Sequence, residues 1–147
     1  MAAIRRARAV WTGDLAKGKG VTTAESSNLF KEAPVSWAAR TESSDGKTSP
    51  EELLAAAHAS CFSMALSAGL GKAGTPPERL EVTCAVTFDQ VGGGWKVKSS
   101  ELTVKGKVPG VSAEAFQKAA EGAKDGCPIS QALKGNVELS VQATLEG

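Results

Sequence analysis

The sequence predicts an α+β fold, an antiparallel sheet with a long central helix and a second helical segment. Three observations carry this. Leu80 to Asp89 alternates apolar and polar residues with a period of two, which marks a strand with one buried face. Thr48 to Leu70 reads as one long helix with a complete start signal. The elements follow one another as strands, helix, strands, helix, strand, and their glycine-rich turns make antiparallel hairpins the simple pairing rather than a doubly wound sheet. At 147 residues, with no repeat, linker or low-complexity tract, residues 1–147 are expected to form a single domain able to bury a core without disulfides.

Residues 4–12, IRRARAVWT, have strand propensity, and Gly13 to Gly20 reads as a hairpin loop before a second strand near Val21 to Ser26. Pro34 to Arg40 is expected to form a third short strand, after which the polar loop TESSDGKT leads Arg40 to the start of the helix. There Ser49 is a good N-cap, Pro50 stands where a helix tolerates its missing N–H, and Glu52 completes a capping box. Glu51 has no such local task, so it either complements the helix dipole or is held for chemistry. From Leu53 to Gly71 there is no charged side chain. A run of that length is a candidate membrane span. Built from Ala, Ser and Gly with one His, however, it reads better as a core helix covered on all sides, in part by a second subunit.

GLGKAG, Gly69 to Gly74, matches a dinucleotide fingerprint by letter, but a helix precedes it and TPPE follows, so it reads as a helix C-terminus and loop. Gly92 to Gly94 turns the chain into a strand from Trp95 to Val108, whose apolar phase slips between Val97 and Leu102 and predicts a bulge near Ser99 and Ser100. Ser112 is expected to cap a helix to about Lys124, Asp125 to Pro128 to break it before a short helix through Leu133, and Val137 to Leu145 to close the chain as a strand.

Composition narrows the partners. With 17 basic and 16 acidic residues the net charge is +1, which gives no electrostatic footprint for nucleic acid or an anionic membrane. The N-terminal arginines precede no apolar run, so no secretory signal is expected. Three cysteines, an odd number, argue against an extracellular disulfide scaffold and for a reducing cytoplasm.

Cys84 lies on the apolar face of its strand and reads as a small hydrophobe. Cys127, between Gly126 and Pro128 at a helix start, has a context that favours either a thiolate or a plain cap or core residue. Nothing next to Cys61 lowers its pKa, so if it reacts, a positive group has to come from elsewhere in the fold. His58 shares a helix face with Cys61, which suggests a Cys and His hydrolase. No orienting third group or oxyanion hole accompanies it, and it reads as a hydrogen-bonded structural histidine. One His and three scattered Cys also lack metal-site spacing.

Together, SPEELLAAAHASCFSMALS around Cys61, GCPISQAL around Cys127, WTGDLAKGKG and the arginine at position 40 give the chain a close resemblance to the OsmC (osmotically inducible protein C) branch of the OsmC and Ohr (organic hydroperoxide resistance) family. The similarity runs over nearly the whole length. It implies an OsmC-like fold in an intertwined homodimer, with active sites at the subunit interface. It also implies a thiol peroxidase that reduces organic hydroperoxides and, less efficiently, hydrogen peroxide. By motif, Cys61 matches the peroxidatic cysteine, Cys127 the resolving cysteine, Arg40 the thiolate-stabilising arginine and Glu51 its acidic partner. The implied cycle is a Cys61 sulfenic acid, a Cys61–Cys127 disulfide and reduction by an external dithiol, which in the Ohr branch is a lipoylated protein. No cofactor or metal is required. A non-catalytic thiol protein of the same fold, for redox sensing or binding, is the alternative. Thr41 and Val35 stand where the family often has aromatic residues, so pocket shape is expected to be this chain's own.

Helix geometry adds one expectation. Ten residues at about 1.5 Å each separate the backbones of Glu51 and Cys61 by about 15 Å, so Glu51, with Arg40, is expected to serve Cys61 of the partner chain.

Overall fold

In the computed structural model, which describes residues 1–146, the fold is α+β. The order is β1 (Ala7–Thr12), β2 (Lys19–Ala24), β3 (Ala33–Val35), α1 (Trp37–Thr41), α2 (Pro50–Lys72), β4 (Arg79–Val91), β5 (Gly94–Lys107), α3 (Ala113–Gly126), α4 (Pro128–Leu133) and β6 (Glu138–Leu145). The chain divides into two compact units, Met1–Leu53 and the remainder from Leu54.

In the first unit β1, β2 and β3 form an antiparallel meander. Gly20 lies opposite both Trp11 and Val35, and a Cβ there would stand 2.6 Å from the Trp11 ring. Only glycine lets the indole lie across the strand. The expected third strand is cut short. It ends at Val35, because the Ser36 side chain accepts from the Ala39 N–H at 3.0 Å and caps a helix of good helix formers, so Arg40 is helical rather than extended.

The Ser49 cap forms as expected, with its hydroxyl accepting from the Glu52 N–H at 3.1 Å. The other half of the capping box does not, since Glu52 instead accepts from the Thr48 hydroxyl at 2.6 Å. At the far end, Gly74 at φ +85° and the Thr75 N–H donating to Leu70 O at 2.9 Å close the helix in a left-handed cap. The glycines of GLGKAG therefore end a helix. By length and composition Pro50–Lys72 is, among the described residues, the one helix apolar enough to cross a bilayer, with a mean hydropathy of 1.5.

In the second unit β4 and β5 pair antiparallel, and β6 pairs with β5. The β5–β6 pair is parallel, against the all-antiparallel expectation. The reason lies in the connection. A hairpin joins neighbours antiparallel, whereas α3 and α4 carry the chain back across the sheet before β6 begins. One face of the sheet is buried under a core of Phe62, Leu66, Leu102, Val104, Phe116 and Ala120. Gly106 belongs to this face, where a Cβ would collide with the Phe116 ring. The bulge falls where expected, with Thr87 opposite Ser99 but Phe88 opposite Val97. Lys98 is the extra residue, and after it the buried parity of β5 changes, so that Ser100 points inward in phase with Leu102 and Val104.

Candidate active site

In the first unit the short helix α1 presents Arg40 toward the first turn of α2. Arg40 Nε and Nη2 each donate to a separate Glu51 carboxylate oxygen at 2.9 Å, a bidentate fork. Glu51 is 8% exposed, so its charge is matched by the guanidinium rather than by water. The Arg40 guanidinium carbon also lies 5.9 Å from the centre of the Trp37 ring. The fork and the aromatic face fix the cation in place. It borders a cavity of about 280 Å³ lined by Trp11, Leu15, Val35, Trp37 and Pro50, an apolar hollow with one charged wall. The Trp11 indole N–H donates to Gly13 O at 3.1 Å, which holds the ring against the hairpin loop. Of the two positions expected to shape the pocket, Val35 lines this cavity, while the Thr41 hydroxyl donates to Trp37 O at 2.9 Å.

In the second unit Cys127, between α3 and α4, belongs to the buried core, Cys61, on α2, packs against that core, and both thiols are free. Cys127 is fully buried. Burial pushes its thiol up, but the Cys61 thiol, the backbone and hydroxyl of Ser130 and the Ile129 N–H more than offset this, and the net shift is downward. Cys61 moves the other way. Burial raises it first, the Cys127 side chain raises it further, and the Ile129 N–H offsets only part. The two neighbouring thiols are thus shifted in opposite directions. Two neighbouring free thiols can be oxidised to a disulfide once either sulfur is activated.

His58, one turn before Cys61 on α2, is a buried structural histidine, and both of its ring nitrogens are taken by serines. Nδ1 is 2.6 Å from Ser100 Oγ and Nε2 is 2.7 Å from Ser130 Oγ. Burial holds its pKa below the ordinary value, so the ring is neutral. Cys84 is half-buried, with its sulfur 3.1 Å from Ser100 Oγ. Burial raises its thiol above the ordinary value. Among the described residues no cluster of three His, Cys, Asp or Glu side chains could hold a metal.

The structure thus joins Arg40 with Glu51 in one unit and Cys61 with Cys127 in the other. Sequence reasoning missed Trp37, Trp11, Ser100 and Ser130. Ser130 sits inside the GCPISQAL stretch, three residues after Cys127, and its hydroxyl meets His58 Nε2.

A profile of OsmC-like proteins matches residues 43–142. Over 138 residues the chain is 41% identical to peroxiredoxin OsmC of Escherichia coli (strain K12), covering 94% of this chain and 95% of that one. It is 34% identical to the organic hydroperoxide resistance protein OhrA of Bacillus subtilis (strain 168) over 97 residues, 65% of this chain and 66% of the relative. In fold it is similar to the crystal structure of the organic hydroperoxide resistance protein OhrB of Bacillus subtilis, with a TM-score of 0.74 at 24% identity over 95% of this chain and 98% of that one.

Proposed function

From the premise that the chain belongs to the OsmC-like protein family, we propose that it is a thiol peroxidase that reduces organic hydroperoxides and, less efficiently, hydrogen peroxide. The observation that carries this reading is that Cys61 packs against the core to which Cys127 belongs, with both thiols free. The Cys61 thiolate attacks the peroxide O–O bond. One oxygen leaves with the alcohol and the other stays as the Cys61 sulfenic acid. Cys127 then attacks the sulfenic sulfur, expels water and forms the Cys61–Cys127 disulfide, and an external dithiol, a lipoylated protein among the candidates, restores both thiols. No metal or flavin takes part.

In this reading residues 1–147 act as one soluble, cytoplasmic domain, assembled as a homodimer with its sites at the subunit interface. Arg40, oriented by Glu51, would supply the cation that the surroundings of Cys61 lack and would hold the peroxide with its fixed donors. The cavity of Trp11, Leu15, Val35 and Trp37 would take the organic group. The rise along α2 separates the backbones of Glu51 and Cys61 by about 15 Å, which supports a site made from Arg40 and Glu51 of one chain and Cys61 of its partner. Uncovered apolar side chains support the association: Val10, Trp11 and Leu15 in the first unit, and in the second Met64, 68% exposed on a helix without a charge from Leu53 to Gly71.

Consumption of cumene hydroperoxide with dithiothreitol tests the reaction. Turnover lost in Cys61→Ser is expected. No turnover at all, or turnover unchanged in that variant, would favour the non-catalytic thiol protein of the same fold.

A further inference from the structure

His58 takes no part in the reaction above, yet it is wholly buried and ties three elements of the second unit together. Its Nδ1 lies 2.6 Å from Ser100 Oγ on β5, and its Nε2 lies 2.7 Å from Ser130 Oγ on α4. Both serines are buried as well, and among the described residues no buried side-chain polar atom is left unpaired. A hydroxyl donates or accepts, so both bonds close whichever ring nitrogen carries the proton. The bonds join residues 42 and 72 positions apart, and so fix α2 against the sheet on one side and against α4 on the other. Apolar side chains would fill this volume without the cost of burying an imidazole and two hydroxyls. They would also leave the helices free to slide, since apolar burial has no direction, whereas a hydrogen bond holds its length and angle.

The place of this bond along the two helices matters for the thiols. Cys61 follows His58 by three residues on α2, and Ser130 follows Cys127 by three, from the N-cap of α4 into its first turn. Residues three apart on a helix are neighbours on one face, with Cβ atoms about 5–6 Å apart. In antiparallel register, the turn that sets His58 opposite Ser130 sets Cys61 opposite Cys127. The packing of Cys61 against the cluster to which Cys127 belongs is what this register requires. The Cys127 backbone is held on both sides, its N–H donating to Ala123 O at 2.8 Å and its carbonyl accepting from the Gln131 N–H at 3.0 Å, while its side chain makes no cap bond. A fixed backbone with an untied sulfur suits a thiol that has to meet another.

We propose that His58 is a positioning residue for the disulfide: its bond to Ser130 is a rung between α2 and α4 that fixes the approach of Cys61 to Cys127 one turn away. The rung acts through the spacing of the helices and raises the effective concentration of one thiol at the other. It rests on the reading of Cys61 and Cys127 as the pair that is oxidised, and not on which oxidant they meet. Ser100 holds the imidazole from the sheet side and lies outside the rung.

Equilibration of the full chain in glutathione buffers, without peroxide, tests this. The two thiols pass two electrons and two protons to glutathione disulfide, which leaves as two glutathione thiols, so the buffer composition at half-oxidation reads the effective concentration of the pair. Alkylation after an acid quench, followed by mass spectrometry of the peptides, gives the fraction of Cys61–Cys127 disulfide. Ser130→Ala is expected to lower the equilibrium constant for its formation about fivefold, a rise of about 20 mV in reduction potential. His58→Asn, whose amide reaches Ser100 but falls short of Ser130, should shift it in the same direction, and carries the test if Ser130→Ala does not fold. His58→Gln, whose amide nitrogen takes the place of Nε2, should keep the potential of the unaltered chain. Ser100→Ala, which removes the same single oxygen from the other side of the ring, should keep it too. An unchanged potential in Ser130→Ala and His58→Asn would overturn the proposal and leave the reaction standing. So would a shift in Ser100→Ala as large as that in Ser130→Ala, the mark of a core loosened as a whole. A chain that forms no Cys61–Cys127 disulfide in any glutathione buffer would overturn the reading of the pair itself, and the rung with it.

Discussion

Arg40 and Cys61 occupy opposite kinds of surroundings. The arginine is a fixed charge, paired at 2.9 Å with a carboxylate, faced by an indole and bordering a hollow, in a unit with no cysteine. The cysteine is an uncharged thiol in a core, raised by burial, beside a second sulfur and one turn from a neutral histidine. Each half lacks what the other has. A guanidinium alone has no nucleophile, and a desolvated thiol alone is a weak one at neutral pH. The contrast is intelligible as a division of labour. A charge is cheapest to keep where a buried counter-charge and a solvent edge share it, whereas sulfurs that must meet are best held in a rigid core.

The sharpest way to break the comparison is to remove the nucleophile. Cys61→Ser is expected to lower peroxide turnover by a factor on the order of 10³ or more, read as hydroperoxide consumed per minute. Cys127→Ser should leave the first oxidation intact, trap an oxidised Cys61 and block recycling by weak reductants. Mass spectrometry after one equivalent of peroxide should find the Cys61–Cys127 disulfide in the unaltered chain with Cys84 still free, and any other pairing would overturn the assigned roles.

Next in size is the charged half. Arg40→Ala leaves the Glu51 carboxylate buried without its fork, and is expected to cost about 1–3 kcal/mol in urea unfolding as well as most of the activity. Arg40→Lys should recover the stability better than the turnover, since an ammonium cannot reproduce two parallel bonds. Equal recovery of both would mean that only the charge matters.

The pH response belongs to the other half. The folded pKa of His58 lies below its unfolded value of 6.5, so the unfolded chain binds the extra proton first as pH falls. Stability is therefore expected to decline as pH drops below about 6.5, with a slope of at most about 1.4 kcal/mol per pH unit until the folded-state pKa is reached. His58→Gln should flatten this slope in urea midpoints measured across the same window. The smallest effect expected is from Ser36→Ala. Loss of the cap on α1 should cost about 1 kcal/mol and loosen Arg40, lowering turnover while the Cys61–Cys127 redox equilibrium stays where it was.

Much of this arrangement was legible in the residues. The alternation from Leu80 to Asp89, the Ser49 cap and the phase slip after Val97 are local signals, and each appears in the structure as strand, helix start and bulge. What could not be read was set by contacts far along the chain. Strand propensity in Pro34 to Trp37 hid a helix that one serine cap is enough to start. The parallel pairing of β6 depends on the route of α3 and α4, which no residue within β6 encodes. His58 was legible as a structural histidine, but its partners, 42 and 72 residues away, were not.

The central claim is that the two halves complete each other between copies, and subunit mixing tests it most directly. Arg40→Ala chains and Cys61→Ser chains, each inactive alone, are unfolded together, refolded as a mixture and assayed with cumene hydroperoxide. In a two-fold dimer with sites made in trans, half of the dimers carry both variants and one of their two sites is whole, so about a quarter of the unaltered activity should return. A mixture as inactive as its components would show that Arg40 serves the Cys61 of its own chain, and would contradict the account.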